Sequence, residues 1–137
     1  MSDIKKIEEF ISLHHVLTLS TSKDNTPYSS SAFYAYDNNT KTFIIASEEK
    51  TTHIQHILLN PIVSLNIHLE TTKIGKIQGL QIKAKAKKLE DKTLKNIYFK
   101  AFPYALTLNP TLWQIKPFWF KYTDNRLGFG KKIILEL

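Results

Sequence analysis

The segment Ser47-Glu48-Glu49-Lys50-Thr51-Thr52-His53 gathers hydroxyls, an ammonium group and an imidazole within a few residues. It leads from an apolar run, Thr42-Phe43-Ile44-Ile45, into a stretch where Ile54, Ile57 and Leu58 recur at helical spacing. The polar groups therefore fall at a helix N-terminus, where unpaired amides and the positive end of the helix dipole suit a phosphate. Ser47, Lys50, Thr51 and His53 are candidate phosphate ligands, with Lys50 supplying a full charge, while Glu48 and Glu49 must point away. Ordinary capping by Thr51 or Thr52 is the plainer account of the same spacing, so the phosphate reading needs support from elsewhere in the chain.

A second candidate is the run Ser29-Ser30-Ser31-Ala32, set between Tyr28 and Phe33-Tyr34. Small side chains on a strand let a flat ring approach the backbone and exchange hydrogen bonds with peptide groups and hydroxyls. A solvent-facing polar strand has the same composition, and that reading stays open. Other constellations are poorer. His53 and His56 share a helical face, but no neighbouring carboxylate or thiolate completes a metal shell. The chain has no cysteine, which excludes disulfides and thiolate chemistry, and no Gly-x-Ser-x-Gly elbow signals a hydrolase. Gly128-Phe129-Gly130-Lys131-Lys132 lacks the glycine and hydroxyl pattern of a phosphate-binding loop and reads as a hairpin or bulge.

The elements that must position these groups are mostly strands. Ile4, Ile7, Phe10 and Ile11 mark an opening amphipathic helix. Three strands follow, joined at Lys23-Asp24-Asn25-Thr26-Pro27 and at Asp37-Asn38-Asn39-Thr40. A short helix closes at Asn60-Pro61. Val63, Leu65, Ile67 and Leu69 then alternate with polar residues, as do Leu80, Ile82, Ala84 and Ala86 with lysines, giving a fourth strand and a long fifth that Gly79 could bend. Leu94, Ile97, Tyr98 and Ala101 predict a further helix ending near Pro103, after which a sixth and a seventh strand finish the chain, with Pro117 marking an edge or a break. The expectation is a single α+β domain over residues 1–137, mainly β: a six- to seven-stranded antiparallel barrel with two or three peripheral helices. No apolar run approaches the ~20 residues that cross a bilayer and no signal segment opens the chain, so a cytoplasmic protein away from membranes is expected.

A formal charge of +7 leaves nucleic acid, anionic surfaces or small anions as possible partners. Lys83, Lys85 and Lys87 share one strand face, and the plainer account is a solvated edge or outer face. Aromatic residues do not interleave with them along the chain as a nucleic-acid stacking platform requires, so a nucleic-acid partner is not expected.

The order of these features resembles the pyridoxamine 5′-phosphate oxidase-like FMN-binding split barrel. Within it, SAFY from Ser31 to Tyr34, EEKTTHIQ from Glu48 to Gln55 and TDNRLGFGKK from Thr123 to Lys132 are similar to the small bacterial YhbP-type proteins. The resemblance implies a homodimer with two FMN sites along the subunit interface. It places Ser29, Ser30, Ser31 and Ala32 beside the isoalloxazine, Ser47, Lys50, Thr51 and His53 at the phosphate, and Gln78 near the ring, with Trp113 and Lys131 as contacts from the partner. Oxidase-type relatives carry arginine and lysine where this chain has Ser29 and Tyr34, so the likeness does not extend to oxidation of pyridoxine phosphate. The function implied is an FMN-dependent oxidoreductase or flavin reductase of unknown substrate. The alternative is a non-catalytic module that holds flavin or haem.

Overall fold

The computed structural model describes all residues, 1–137. Helix α1 (Asp3–Ser12) is capped by Ser2, whose hydroxyl accepts from the Lys5 amide, and it buries Ile7, Phe10 and Ile11. Strands β1 (Val16–Lys23) and β2 (Thr26–Phe33) form a hairpin through Asp24 and Asn25. Both turn residues have positive φ, 51° and 62°, the conformation that matches the twist of a two-residue hairpin. Strands β3 (Ala35–Asp37) and β4 (Thr42–Ala46) turn around Asp37, whose carboxylate accepts from the Thr40 amide at 3.0 Å and its hydroxyl at 2.6 Å. Helix α2 (Thr52–Leu59) precedes β5 (Ile62–His68) and β6 (Gln78–Lys88). Helix α3 (Lys92–Ala101), capped by Asp91, leads to β7 (Leu112–Asp124) and β8 (Lys132–Glu136). No helix is long and apolar enough to cross a membrane.

All pairings are antiparallel, in the order β2-β1-β5-β6-β7-β4-β3, with β8 also on β7. The path starts at β2 and ends at β3, yet Tyr34 alone separates these two strands in sequence. The sheet must therefore curl until its two edges meet, while no ladder joins them: a split barrel. The continuous second strand read from the sequence is thus two strands on opposite edges, which raises the strand count to eight. Tyr34 fixes the break, its buried hydroxyl donating to the Ile11 carbonyl at 2.6 Å.

Inside, Val63, Leu65 and Ile67 of β5 and Leu80, Ile82, Ala84 and Ala86 of β6 pack with Phe43, Trp113, Ile115 and Phe120, so the alternation in the sequence is the barrel wall. Gly79 pairs regularly with His68 and Thr123 and does not bend β6. The irregularity lies opposite, where Lys83 faces Trp119 and Ala84 faces Pro117, leaving Phe118 as an extra, bulged residue. It falls where β7 exchanges its outer neighbour, from β4 (paired over 112–115) to β8 (paired over 119–123), so Pro117 sits where no ladder needs its missing N–H.

Cross-strand partners share a face, and the outer face divides by charge. Along β2, β1 and β5 it carries Phe33, Ser31, Ser29, Thr18, Ser20, Ser64 and Asn66, none of them charged. Along β6 and β7 it carries Lys83, Lys85, Lys87, Lys116 and Lys121.

Candidate functional site

Helix α2 begins without a side-chain cap: the Thr51 hydroxyl donates to the Glu48 carbonyl at 2.8 Å instead of accepting from the first turn. The leading amides of the helix therefore keep their donor capacity. Around them Ser47 Oγ lies 2.6 Å from His53 Nε2 and 3.3 Å from Thr51 Oγ1, with Thr51 Oγ1 3.3 Å from the same imidazole nitrogen. Burial, then the neighbouring His56, holds the His53 pKa below its ordinary 6.5, so the ring is neutral at pH 7 and takes part as a hydrogen-bonding group rather than a cation. The Ser47–His53 pair has the contact distance of a nucleophile and base, but no carboxylate engages the second ring nitrogen. The full positive charge is Lys50, exposed and paired with Glu48 at 3.2 Å. Glu48 is thus drawn to Lys50 rather than standing clear of the site.

The second candidate element lies along the other flank of α2. Its His56 Nδ1 is 2.9 Å from Thr21 Oγ1 and its ring meets the edge of Tyr28, while Asn60 donates to Ser22 at 3.0 Å, so the helix rests on β1 and β2. Ser30 and Ala32 share the inward face with Leu19 and Leu17; Ser29 and Ser31 face outward, Ser29 Oγ lying 3.1 Å from Ser20 Oγ. The four residues do not present one row of side chains. What they share is an open edge, because β2 is hydrogen-bonded to β1 alone. In a two-residue hairpin the pairs counted from Lys23–Thr26 alternate, which turns the backbone N–H and C=O of Ser29 and Ser31 away from β1. Small residues on an unpaired edge strand that packs on a helix with a donor-rich start offer what a planar group with a phosphate tail needs. The hydroxyls, the uncapped amides and Lys50 within the same turn fit the phosphate end of a flavin mononucleotide.

Gln78 is not brought to this place. It opens β6 opposite Asp124, whereas the α2 start adjoins the other end of the same strands, where Lys88 pairs with Trp113. A strand of that length spans on the order of 30 Å. Gln78 instead lies in a small cleft of about 160 Å³ with Lys6, Glu9, Phe10, Tyr122 and Arg126. There Tyr122 stands 3.3 Å from its side-chain oxygen, and burial, then the Asp124 charge, pushes the Tyr122 pKa up to about 12. Trp113 departs from the expectation of a partner contact. Its side chain is 0% exposed, and its indole N–H donates to the Ser47 carbonyl at 2.8 Å, so it braces the α2 start from inside and does not reach a partner. Alternation could place Trp113 on a face but could not tell core from interface. Lys131 is exposed in the β7–β8 connection. His53 and His56 point to different partners, Ser47 and Thr21, and do not converge on a metal.

Comparison with known proteins first defines the class. The family model described as "Pyridoxamine 5'-phosphate oxidase" matches residues 4–112. A heme binding protein from Mycobacterium smegmatis superposes with a TM-score of 0.82 at 14% identity, covering 99% of this chain, which spans 58% of that protein. A FAD-binding protein from Mesorhizobium loti gives 0.73 at 15% identity, covering 87% of this chain and 90% of that one. At such identity these likenesses establish the fold. Sequence relatives narrow it further. A UPF0306 protein of Campylobacter jejuni is 38% identical over 130 residues, covering 94% of this chain and 95% of the relative. One from Klebsiella pneumoniae (strain 342) is 34% identical over 136 residues, covering 97% and 92%. The chain therefore belongs to the UPF0306 family of the pyridoxamine phosphate oxidase-like split barrels.

Proposed function

We propose that this protein is a cofactor-binding module that holds FMN in a homodimer. The phosphate is held by Ser47, Lys50 and Thr51 with the open amides of α2, the Thr51 hydroxyl turning from the Glu48 carbonyl to donate to it, and neutral His53 orients the two hydroxyls. The flavin ring lies along the open edge of β2 at Ser29, Ser30, Ser31 and Ala32, exchanging hydrogen bonds with backbone groups that β1 leaves free. The uncapped, hydroxyl-lined start of α2, a helix whose His56 meets Tyr28 of that edge strand, carries this reading. Gln78 lies too far along β6 to join the others within one chain, so the site is completed by the partner subunit's Gln78. The uncharged outer face of β2, β1 and β5, with Phe33 60% exposed at its end, is the surface that supports dimerisation, since a two-fold interface sets each patch against its own copy.

Bound flavin supplies the electron-transfer chemistry, and the protein contributes orientation and electrostatics. No side chain at the site is disposed as a nucleophile with an oriented base, which favours a binding module over an enzyme that forms covalent intermediates. Oxidoreductase or flavin-reductase turnover is the finer form of the same reading. Haem is the second: the Mycobacterium smegmatis heme binding protein and "HutZ,the heme storsge protein from Vibrio cholerae" share this fold.

Titration of the purified protein with FMN, followed by flavin fluorescence and visible absorption, tests the proposal. Saturable binding is expected, with Lys50→Ala and Thr51→Ala each weakening it about ten- to a hundredfold, the loss of one charge-assisted contact. Absence of binding, or equal affinity in both variants, overturns it. A Soret band on haem titration with no flavin uptake selects haem, and reduction of bound FMN by a nicotinamide donor selects the oxidoreductase form.

A further inference from the structure

A second cleft opens where β7 passes from β4 to β8. It measures about 590 Å³ and is lined by Lys41, Lys85, Lys87, Gln114, Lys116 and Phe118. Lys41 is neutralised by Glu8 at 3.0 Å. Lys85, Lys87 and Lys116 have no carboxylate within ion-pair distance, and Lys83 and Lys121 extend the row along the same face. Glu136, opposite Trp119 on β8, is the acidic side chain sharing that face.

A row of lysines on a sheet is ordinarily a solvated surface, and here it has an aromatic floor that solvation does not explain. The bulge at Phe118 turns a ring outward to 41% exposure into the cationic cleft, and the adjoining Trp119 lies under Lys83, whose Nζ is 4.6 Å from the ring centre. The lysines of β6 have no aromatic neighbour in sequence; the register sets them against β7, where Phe118 and Trp119 lie between Lys116 and Lys121.

We infer that this cleft binds a nucleotide unit, with phosphate on Lys85, Lys87 and Lys116 and the base against Phe118. Cations beside a partly exposed ring are what such a unit requires, since every base offers a stacking face and every phosphate a charge. The same chemistry is presented by a free nucleotide and by a single-stranded nucleic acid. The site shares no residue with the flavin reading, lying at Lys41 before β4 where the α2 start follows its far end. It also stays open in a two-fold dimer, because burying it would set the lysine row against its own copy.

The experiment is fluorescence anisotropy with a labelled ten-nucleotide deoxythymidine strand across a salt series, with ATP and heparin as competitors. Three phosphate contacts predict a slope of log affinity on log salt of about −2. The combined change Lys85→Gln, Lys87→Gln and Lys116→Gln should bring the slope close to zero. Phe118→Ala should weaken binding roughly five- to a hundredfold while leaving the slope in place. Circular dichroism checks that each variant keeps the fold. Displacement by ATP at comparable affinity identifies a free nucleotide, and binding of the strand alone identifies a nucleic acid; either supports the site. Failure of both to bind, or binding that heparin abolishes and Phe118→Ala leaves unchanged, overturns it. Lys50→Ala should bind the strand as the unchanged protein does, which separates this result from failure of the flavin reading.

Discussion

Replacing Asp124 by asparagine changes a charge and almost no volume in a side chain 5% exposed. Asp124 Oδ1 accepts from the Arg126 amide and Arg126 Nε, both at 3.0 Å, while Oδ2 accepts from the second guanidinium nitrogen at 2.9 Å and from the Tyr122 hydroxyl at 3.4 Å. Asparagine keeps one acceptor but turns an NH₂ toward the last two donors, so a charge-assisted bond and a long neutral one are lost. A bond to a charged group contributes roughly 1.5–3 kcal/mol, and water recovers part of this because the Arg126 side chain is 57% exposed, leaving about 2 kcal/mol. Urea unfolding at pH 7 should show that loss without a change in slope. The pH dependence adds a second check. Bonding to Arg126 holds the Asp124 pKa below its ordinary 3.8 despite burial, so its stabilisation is full above 3.8 and is lost as pH falls through the lower folded value. The gap between wild type and Asp124→Asn should therefore narrow in that acid range. An unchanged midpoint at pH 7, or a gap constant down to acid pH, would refute the assignment.

Trp113→Phe removes the donor to the Ser47 carbonyl and leaves a gap in the core; a loss of about 2–4 kcal/mol in urea unfolding and a weaker FMN titration should accompany each other. His14 and His53 both have pKa values lowered first by burial, then by neighbouring histidines, so their ring resonances should titrate below 6.5 by NMR. Because the folded state resists their protonation, stability should be full above 6.5 and decline as pH falls from there toward the folded values. Glu8→Gln gives up the Lys41 ion pair and weakens the acceptor of the Tyr36 hydroxyl at 2.7 Å, and should cost about 1–2 kcal/mol by the same unfolding assay.

The barrel wall was legible in the sequence because alternation is a local property: Val63, Leu65 and Ile67 of β5 and Leu80, Ile82, Ala84 and Ala86 of β6 face inward as their parity requires, and Ile62, of the other parity, faces out. Helices α1, α2 and α3 were legible for the same reason, though Leu58 is exposed and only Ile54 and Ile57 of its stripe are buried. What parity cannot contain is a partner distant in the chain. Nothing in Ser31-Ala32-Phe33-Tyr34-Ala35 signals a break, since neither glycine nor proline is present and the cause is a hydroxyl reaching the Ile11 carbonyl. Pro117 did mark an interruption, but which residue bulges depends on the register with β6. Of the candidate site, the α2 start could be recognised because helix termini have sequence signatures. Its bracing by Trp113, and the distance of Gln78, arise only when β7 is laid between β4 and β6.

The meeting of the first and last strands of the sheet at Tyr34 has a consequence for the order of folding. β3 and β4 are made early in the chain, yet β4 can enter the sheet only on β7, with Phe43 opposite Ile115 across 72 residues of sequence. Such long-range closure is slow, because loop entropy is lost before the contact forms. During synthesis the hairpin of β1 and β2 can form at once, while β4 waits, its Phe43, Ile44 and Ile45 exposed, until β7 arrives. The open edge of β2 in the finished barrel is therefore tied to a strand that is among the last to be secured, and the interval before β7 docks is when the chain is most open to aggregation.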